Sequence, residues 1–470
     1  MTRALAVAVT LVLGGCAMVG PNYSRPDLGL PGEYNGAGPA SGTILVPEQW
    51  WTLYGDPTLD ALVKTGLERN ADVRLAAARV EEAEAALREA RATLLFPLVE
   101  GNAGATRSRT LQFGTANNFS LGLSTSFELD LWGRLRRAER SVRDQLLASR
   151  YGRDTVALTL AATIARTYFA ALSLDTQYAA SEESVRAANE SLDLAKKRLD
   201  GGVGSALDVY QAGALATASS AQSKEIARQR AAIVHQLGVL TARLDVAVPR
   251  KEIGALPIPP IPPAGLPSEL LERRPDVRQA EAQLAAATER IGVARGSEFP
   301  TLTLTGSFGA QSSDLDKLFS AGSRVWSLGA GLLGPIIDGG RFAARTQQAE
   351  AQAHQAEATY QRTVENAFRD VSDALSNVHA AAETEVDLGA RLEQAREALR
   401  LAEMRYRSGY SAYLEVLDAV RTLNVAQLDY IRNRQSYLSY TVDLMNSLGG
   451  GWSPSPSDER IIGTAAKPRG

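Results

Sequence analysis

Arg198-x-x-x-Gly202-x-x-x-x-x-Asp208-Val209 and Arg405-x-x-x-Gly409-x-x-x-x-x-Glu415-Val416 are one pattern written twice in a chain of 470 residues. Arg198 and Arg405, Gly202 and Gly409, Asp208 and Glu415, and upstream Arg134 and Arg341, each stand 207 residues apart. Asp72-Val73-Arg74 recurs as Asp276-Val277-Arg278 after 204 residues, and Phe96-Pro97 as Phe299-Pro300 after 203. Self-similarity at one long period marks a tandem duplication in which only small insertions separate the copies.

Both copies have the same internal order. A helical stretch with little Gly or Pro, Asp72 to Leu95 and Asp276 to Gly296, ends at Phe-Pro, because proline cannot continue a helix. The period then changes to two. Phe119, Leu121, Leu123, Phe127 and Leu129 alternate with Ser120, Gly122, Ser124, Ser126 and Glu128, while Leu302, Leu304 and Phe308 alternate with Thr301, Thr303, Thr305 and Ser307. Trp326, Leu328, Ala330 and Leu332 alternate with Ser327, Gly329 and Gly331, and 98–106 alternates more weakly. Strands are therefore expected near 98–106, 119–130, 301–311 and 325–337, apolar on one face and small-polar on the other.

The helical period returns after each second strand. Leu131 to Asp200 contains no Pro, and at about 1.5 Å per residue it spans roughly 100 Å if helical. In the second copy Val364, Phe368, Val371, Leu375, Val378 and Ala382, then Leu388, Leu392, Ala395, Leu399, Ala402 and Tyr406, step by four and three. Ser181, Val185, Ala188, Leu192, Ala195 and Leu199 do the same in the first. That spacing is a coiled-coil seam. The glycines at 201–202 and 409 then turn the chain back along a second helix.

The N-terminus reads as a signal peptide over 1–15: Arg3, an apolar run from Ala4 to Leu13, and Leu13-Gly14-Gly15-Cys16, a lipobox whose cysteine is the acylation site. The run is shorter than the roughly 20 residues of a membrane helix, and no later run was expected to reach that length, so a membrane crossing falls to the strands. The remaining division is a lipid-anchored extension over 16–54, repeat one over 55–254, a linker over 255–275 with seven prolines, repeat two over 276–448 and a flexible tail over 449–470.

Four strands cannot close a membrane barrel, since the smallest have about eight, and open edges are not tolerated in lipid. Two copies supply eight strands around a filled interior, and three supply twelve around an open lumen. The Ser, Thr and Gly faces suit water, which favours three. The expected fold is mostly α with a membrane β-barrel portion: a tandem repeat that builds, in a trimer, a twelve-stranded β-barrel continuous with a long α-helical barrel extending away from the membrane. Phe119, Phe127 and Trp326 then face lipid, and the helices leave opposite the strand loops near 110–117 and 311–323.

Several ordered stretches resemble the TolC-type outer-membrane efflux channels, in their OprM/NodT-like lipoprotein branch. They are Gly20-Pro21-Asn22-Tyr23-Ser24-Arg25-Pro26, Trp50-Trp51 with Asp56-Pro57-x-Leu59, Arg273-Arg274-Pro275-Asp276-Val277, Ile291-Gly292-Val293-Ala294-Arg295, Gly334-Pro335-Ile336-Ile337-Asp338-Gly339-Gly340-Arg341, and Tyr413-Leu414-Glu415-Val416-Leu417-Asp418-Ala419. The chain departs from the family at Val420, where glutamine is more common. The resemblance implies that the long α-helical barrel is periplasmic and that the homotrimer sits in the bacterial outer membrane, docked on a periplasmic adaptor (membrane fusion) protein and an inner-membrane pump of the resistance-nodulation-division type. Its implied task is the passive export of small toxic compounds, drugs or metals.

Leu414, Asp418 and Arg421 fall at i, i+4 and i+7 and share one helix face, whereas the first copy has Leu207, Gln211 and Ala214 there. In a trimer this face presents rings that constrict a pore mouth. Arg198, Gly202, Asp208, Arg405, Gly409 and Glu415 mark the hairpin tips, where an adaptor docks. An exposed ion pair is the alternative account of Asp418 and Arg421, and glycines suit the turns for structural reasons alone. Enzyme chemistry has no support. His235, His354 and His379 lack metal-ligand spacing, no P-loop is present and no cofactor is implied. A net charge of −3 excludes a nucleic-acid footprint. Two other readings remain, a channel for type I protein secretion and a periplasm-spanning lipoprotein scaffold that conducts nothing.

Overall fold

The computed structural model describes residues 18–31, 34, 46–111, 114–262, 270–455 and 458. Cys16 and the signal peptide lie outside the described residues, as does most of 449–470 beyond Ser455. Each Phe-Pro pair divides a helix from a strand. Helices α1 (Pro57–Arg69) and α2 (Ala71–Leu95) precede β1 (Leu98–Thr110) and β2 (Gly114–Leu129), and α3 (Arg134–Asp200) and α4 (Ala206–Leu240) complete the first copy. The second copy runs α5 (Pro275–Gly296), β3 (Thr301–Ser312), β4 (Arg324–Leu333), α6 (Arg341–Arg407) and α7 (Tyr413–Ser447). The duplication extends to length: α3 and α6 have 67 residues each, and α4 and α7 have 35 each.

The chain forms two compact units. One comprises residues up to Leu28, Ala78–Tyr151 and Arg278–Thr363, and holds the antiparallel sheet, ordered β1-β2-β3-β4. Its register aligns the alternation of all four strands. Gly101, Leu123, Phe308 and Trp326 form one row, and Leu129, Leu302 and Leu332 another. One step along the strands, Glu100, Ser124, Ser307 and Ser327 form a row on the opposite face. Beside the sheet, Val80 and Leu87 of α2 pack on Leu146 of α3, and Ala287 and Ile291 of α5 pack on Ala349 and Ala353 of α6. The duplication thus recurs in the packing.

In the second unit Trp50, Tyr54, Leu59 and Val63 meet Ile164, Phe169 and Leu172 of α3, Leu237 of α4, and Leu438 and Val442 of α7. The Tyr54 and Thr441 hydroxyls share a hydrogen bond of 2.8 Å inside this core. Here one expectation is corrected. A window of α3 does reach the composition of a membrane helix, with a mean hydropathy of 1.4, but 56% of it is buried, and its apolar residues build the core. Along α6 the seam is real: Val364, Val371, Leu375, Val378, Leu392, Ala395 and Tyr406 are all buried.

Several boundaries also differ: β1 runs on to Thr110 rather than 106, and β2 starts at Gly114 rather than 119. β4 stops at Leu333 rather than near 337, because Pro335 has no N–H for the ladder. The chain after Gly449 is held through its described part: the Gly450 N–H donates to the Met445 carbonyl at 2.8 Å, and the Trp452 indole donates to Asp154 at 3.0 Å.

Candidate functional site

Both hairpin tips close by one device. At the end of α3 the Gly202 N–H donates to the Leu199 carbonyl at 2.9 Å and the Val203 N–H to the Arg198 carbonyl at 2.9 Å. At the end of α6 Gly409 donates to Tyr406 at 3.0 Å and Tyr410 to Arg405 at 2.9 Å. These are matching Schellman caps, with φ of +72° at Gly202 and +77° at Gly409, a left-handed conformation that side chains resist. The repeated Gly thus has a local physical origin; the repeated Arg does not follow from the cap, to which it lends only its backbone carbonyl.

The returning helices start differently. Ser205 caps α4, its hydroxyl accepting from the Leu207 N–H at 3.1 Å, and Asp208 sits in the first turn, where the helix dipole favours a carboxylate. α7 begins after Ala412, which offers no side-chain cap; Glu415 instead pairs with Arg405 at 3.4 Å across its own turn. Arg198 makes no matching pair with Asp208. It reaches the second hairpin, where Nη1 donates to the Tyr406 carbonyl at 2.9 Å and the guanidinium lies 4.7 Å from the Tyr406 ring centroid. Burial, and next the Asp208 carboxylate, push the Tyr406 phenol above its ordinary pKa.

Further links join the hairpins: Ser191 to the Tyr413 hydroxyl at 3.1 Å and Ser184 to Asn424 at 3.0 Å. Ala195, Ala212, Tyr406, Tyr413, Val416 and Leu417 form the apolar cluster behind them. Spacing did not flag Tyr413, Ser184 or Asn424, since their partners are more than 200 residues away; the only local signal is a tyrosine where the first copy has Ala206.

Leu414, Asp418 and Arg421 come out together on the exposed face of α7, while Val416 and Leu417 point into the bundle. Leu414 is 59% exposed. Neither Asp418 nor Arg421 has a hydrogen bond or ion pair among the described residues, so the exposed Asp–Arg pair allowed by their spacing is not made. Leu414 and Arg421 border a concavity of about 690 Å³ whose other walls include Gln177, Gln211, Gln222 and Asn424. Most of its lining is apolar, from Ala, Leu and Ile side chains between these amides, and Arg421 is its one charged residue. Among the described residues no group of His, Cys, Asp or Glu is arranged to hold a metal.

A profile of outer membrane efflux proteins matches residues 62–243 and again 266–450, one match per copy. The chain belongs to the outer membrane efflux protein family. This efflux protein is 33% identical to the solvent efflux pump outer membrane protein SrpC of Pseudomonas putida over 96% of its own length and 99% of that relative's. It superposes on the outer-membrane channel OprN with a TM-score of 0.87 at 30% identity, covering 93% of this chain and all of the other. On the open state of the MtrE channel of Neisseria gonorrhoeae the TM-score is 0.81 at 30% identity, covering 93% and 98%. The efflux protein is thus an outer-membrane component of an efflux system, with a periplasmic extension.

Proposed function

We propose that three copies of this chain close a twelve-stranded barrel whose lumen continues through a periplasmic tube of helices, and that small toxic compounds leave through it passively. The observation that carries this is the sheet. Its register segregates an apolar face from a Ser/Thr/Gly face across β2, β3 and β4, with β1 alternating more weakly and placing Glu100 and Asn102 on the polar face, while β1 and β4 each leave one edge open. Lipid does not tolerate open edges, so further copies have to cover them.

The hairpin tips, with Arg198, Gly202, Asp208, Arg405, Gly409 and Glu415, are the docking surface for a periplasmic adaptor, which links the channel to an inner-membrane pump of the resistance-nodulation-division type. Relatives named as solvent, toluene and antibiotic efflux components support an organic substrate class. Leu414, Asp418 and Arg421 form the gate. Their side chains are exposed on one face, and the two charged groups have no ion-pair partner among the described residues. Cys16 carries the lipid anchor. The test is native mass spectrometry of the detergent-solubilised protein joined to planar-bilayer recording. Three copies and a water-filled conductance are expected; a monomer, or a trimer that never conducts, overturns the reading.

A further inference from the structure

We propose that Arg341 and Arg345, at the start of α6, bind the phosphate of an anionic phospholipid in the periplasmic leaflet of the outer membrane. The inference rests on the outer-membrane placement of the strands, not on the number of copies.

The level of the membrane surface is marked by the sheet. Leu129, Leu302 and Leu332 share a row at its helix-proximal end. Just past that row Trp132 stacks on Phe299, centroids 4.7 Å apart, and its indole N–H donates to the Pro300 carbonyl at 2.8 Å. An aromatic pair with its polar edge satisfied is typical of the boundary between hydrocarbon and headgroups. Past the same row on β4, Ile336 and Ile337 are 97% and 95% exposed. Arg341 and Arg345 follow, about 6 Å apart along the helix axis, which fits within one headgroup layer.

The two copies treat this level differently. In the first, Arg134 makes a two-pronged bond to Glu128 at 3.2 and 2.7 Å, and Arg136 pairs with Asp130 at 3.1 Å. The positions 207 residues on from those acids hold Pro335 and Ile337, and Ala343 replaces the second arginine. Arg341, the counterpart of Arg134, has therefore lost its carboxylate. Asp338, three residues before Arg341, makes no salt bridge with it and accepts the Gly340 and Phe342 N–H groups at 3.0 and 2.8 Å. Glu298 accepts from Thr346, and Glu350 pairs with Arg295.

Two guanidinium groups consequently share one ring. Arg341 lies 4.9 Å and Arg345 5.6 Å from the Phe342 centroid; among the described residues neither makes a salt bridge, and the one acid whose charge is felt at Arg341 in its own turn is Asp338. A pair of like charges on one ring is an arrangement that an anion between them stabilises. Guanidinium matches phosphate geometry, and the isoleucines below supply contact for the acyl chains. Basic clusters beside a membrane surface select anionic headgroups for these reasons.

The experiment measures lipid retention by the detergent-solubilised protein with native mass spectrometry, titrating phosphatidylglycerol against phosphatidylcholine. The parent should prefer phosphatidylglycerol, and an Arg341→Gln, Arg345→Gln variant should lose roughly tenfold or more of that preference. Arg134→Gln should leave it unchanged, since Glu128 already occupies that arginine. Added inorganic phosphate should displace the lipid only weakly, because it lacks the acyl contact; displacement as strong as by the lipid itself would overturn the lipid assignment. Equal lipid preference in parent and double variant would also overturn it. So would a double variant that falls apart into subunits, which would assign the arginines to a contact between copies.

Discussion

Arg198 grips Tyr406 at two points, its guanidinium facing the ring at 4.7 Å while Nη1 donates to the same residue's carbonyl at 2.9 Å. The first hairpin thereby holds the last turn of α6, whose own tip arginine is engaged with Glu415. Arg198→Ala removes a stacking contact of about 0.5–1 kcal/mol and a charge-assisted hydrogen bond of about 1.5–3 kcal/mol. Hydrogen exchange at 403–413 is expected to accelerate by about tenfold or more, with the sheet amides unaffected. Tyr406→Phe should behave oppositely. Its hydroxyl is buried without a partner, so the variant keeps the stacking and leaves stability equal or slightly higher, read as the thermal midpoint.

Asp418→Ala with Arg421→Ala alters only exposed side chains and should fold and assemble normally. If these residues close the pore, single-channel recording will show a higher conductance in the resting state. A resting trace identical to the parent's would remove the gate from α7.

Asp144 supplies a pH signature. Burial, aided by the Glu289 and Glu139 carboxylates, pushes its pKa from 3.8 up to about 6 against the opposing pull of Arg143. The folded state therefore holds a proton that the unfolded state releases between about pH 4 and 6. Stability falls as pH rises through that window and is level above it, by at most about 3 kcal/mol at roughly 1.4 kcal/mol per pKa unit. Asp144→Asn should raise the thermal midpoint at pH 8 and leave it unchanged at pH 4.

A buried arginine joins the Val19–Trp132 and Arg25–Glu281 contacts in holding the N-terminal segment. Arg137, 1% exposed, donates to the Val19 and Gly20 carbonyls at 3.2 and 3.0 Å, to Asn22 at 3.1 Å and to Glu289 at 2.9 Å. Arg137→Ala leaves Glu289 buried and unpaired, at a cost of about 3–5 kcal/mol. Gly20→Ala should free the same segment by another route. At φ of +96° an added Cβ would sit 2.6 Å from the Gly292 Cα, so hydrogen exchange over residues 19–25 should rise by about tenfold or more.

Cys16→Ala behind an ordinary signal peptide should still give membrane-inserted protein and much of the efflux, because the closed barrel proposed above holds the chain in the membrane without acyl chains. Complete loss of insertion would show that the anchor is indispensable.

What could be read in the sequence followed from local periodicity. The alternation of Phe119 to Leu129 and the four-three steps from Val364 to Tyr406 express which face is buried, and the structure has them as strand and seam. The pairing of Arg198 with Tyr406, or of Arg137 with Val19 and Gly20, has no local period, since it joins residues more than a hundred positions apart. The apolar stretch of α3 is itself legible, since a mean hydropathy of 1.4 is a local sum; what composition does not reveal is that it serves a core contributed by Trp50, Leu237 and Leu438. β4 was drawn too long because Ile336 and Ile337 continue the apolar run past Pro335, which ends the ladder.

The matched lengths, 67 and 35 residues in both hairpins, constrain how this protein can change. One residue inserted into α6 would displace its tip by about 1.5 Å and rotate every later side chain by about 100°. Tyr406 would leave Arg198, and the seam would turn outward. A tolerated length change would have to come in seven-residue steps, in both strokes of a hairpin, and in both copies together. Substitutions can therefore accumulate in the helices while insertions and deletions are confined to the loops, and grafting a foreign hairpin tip should succeed only when the transplant keeps the heptad phase.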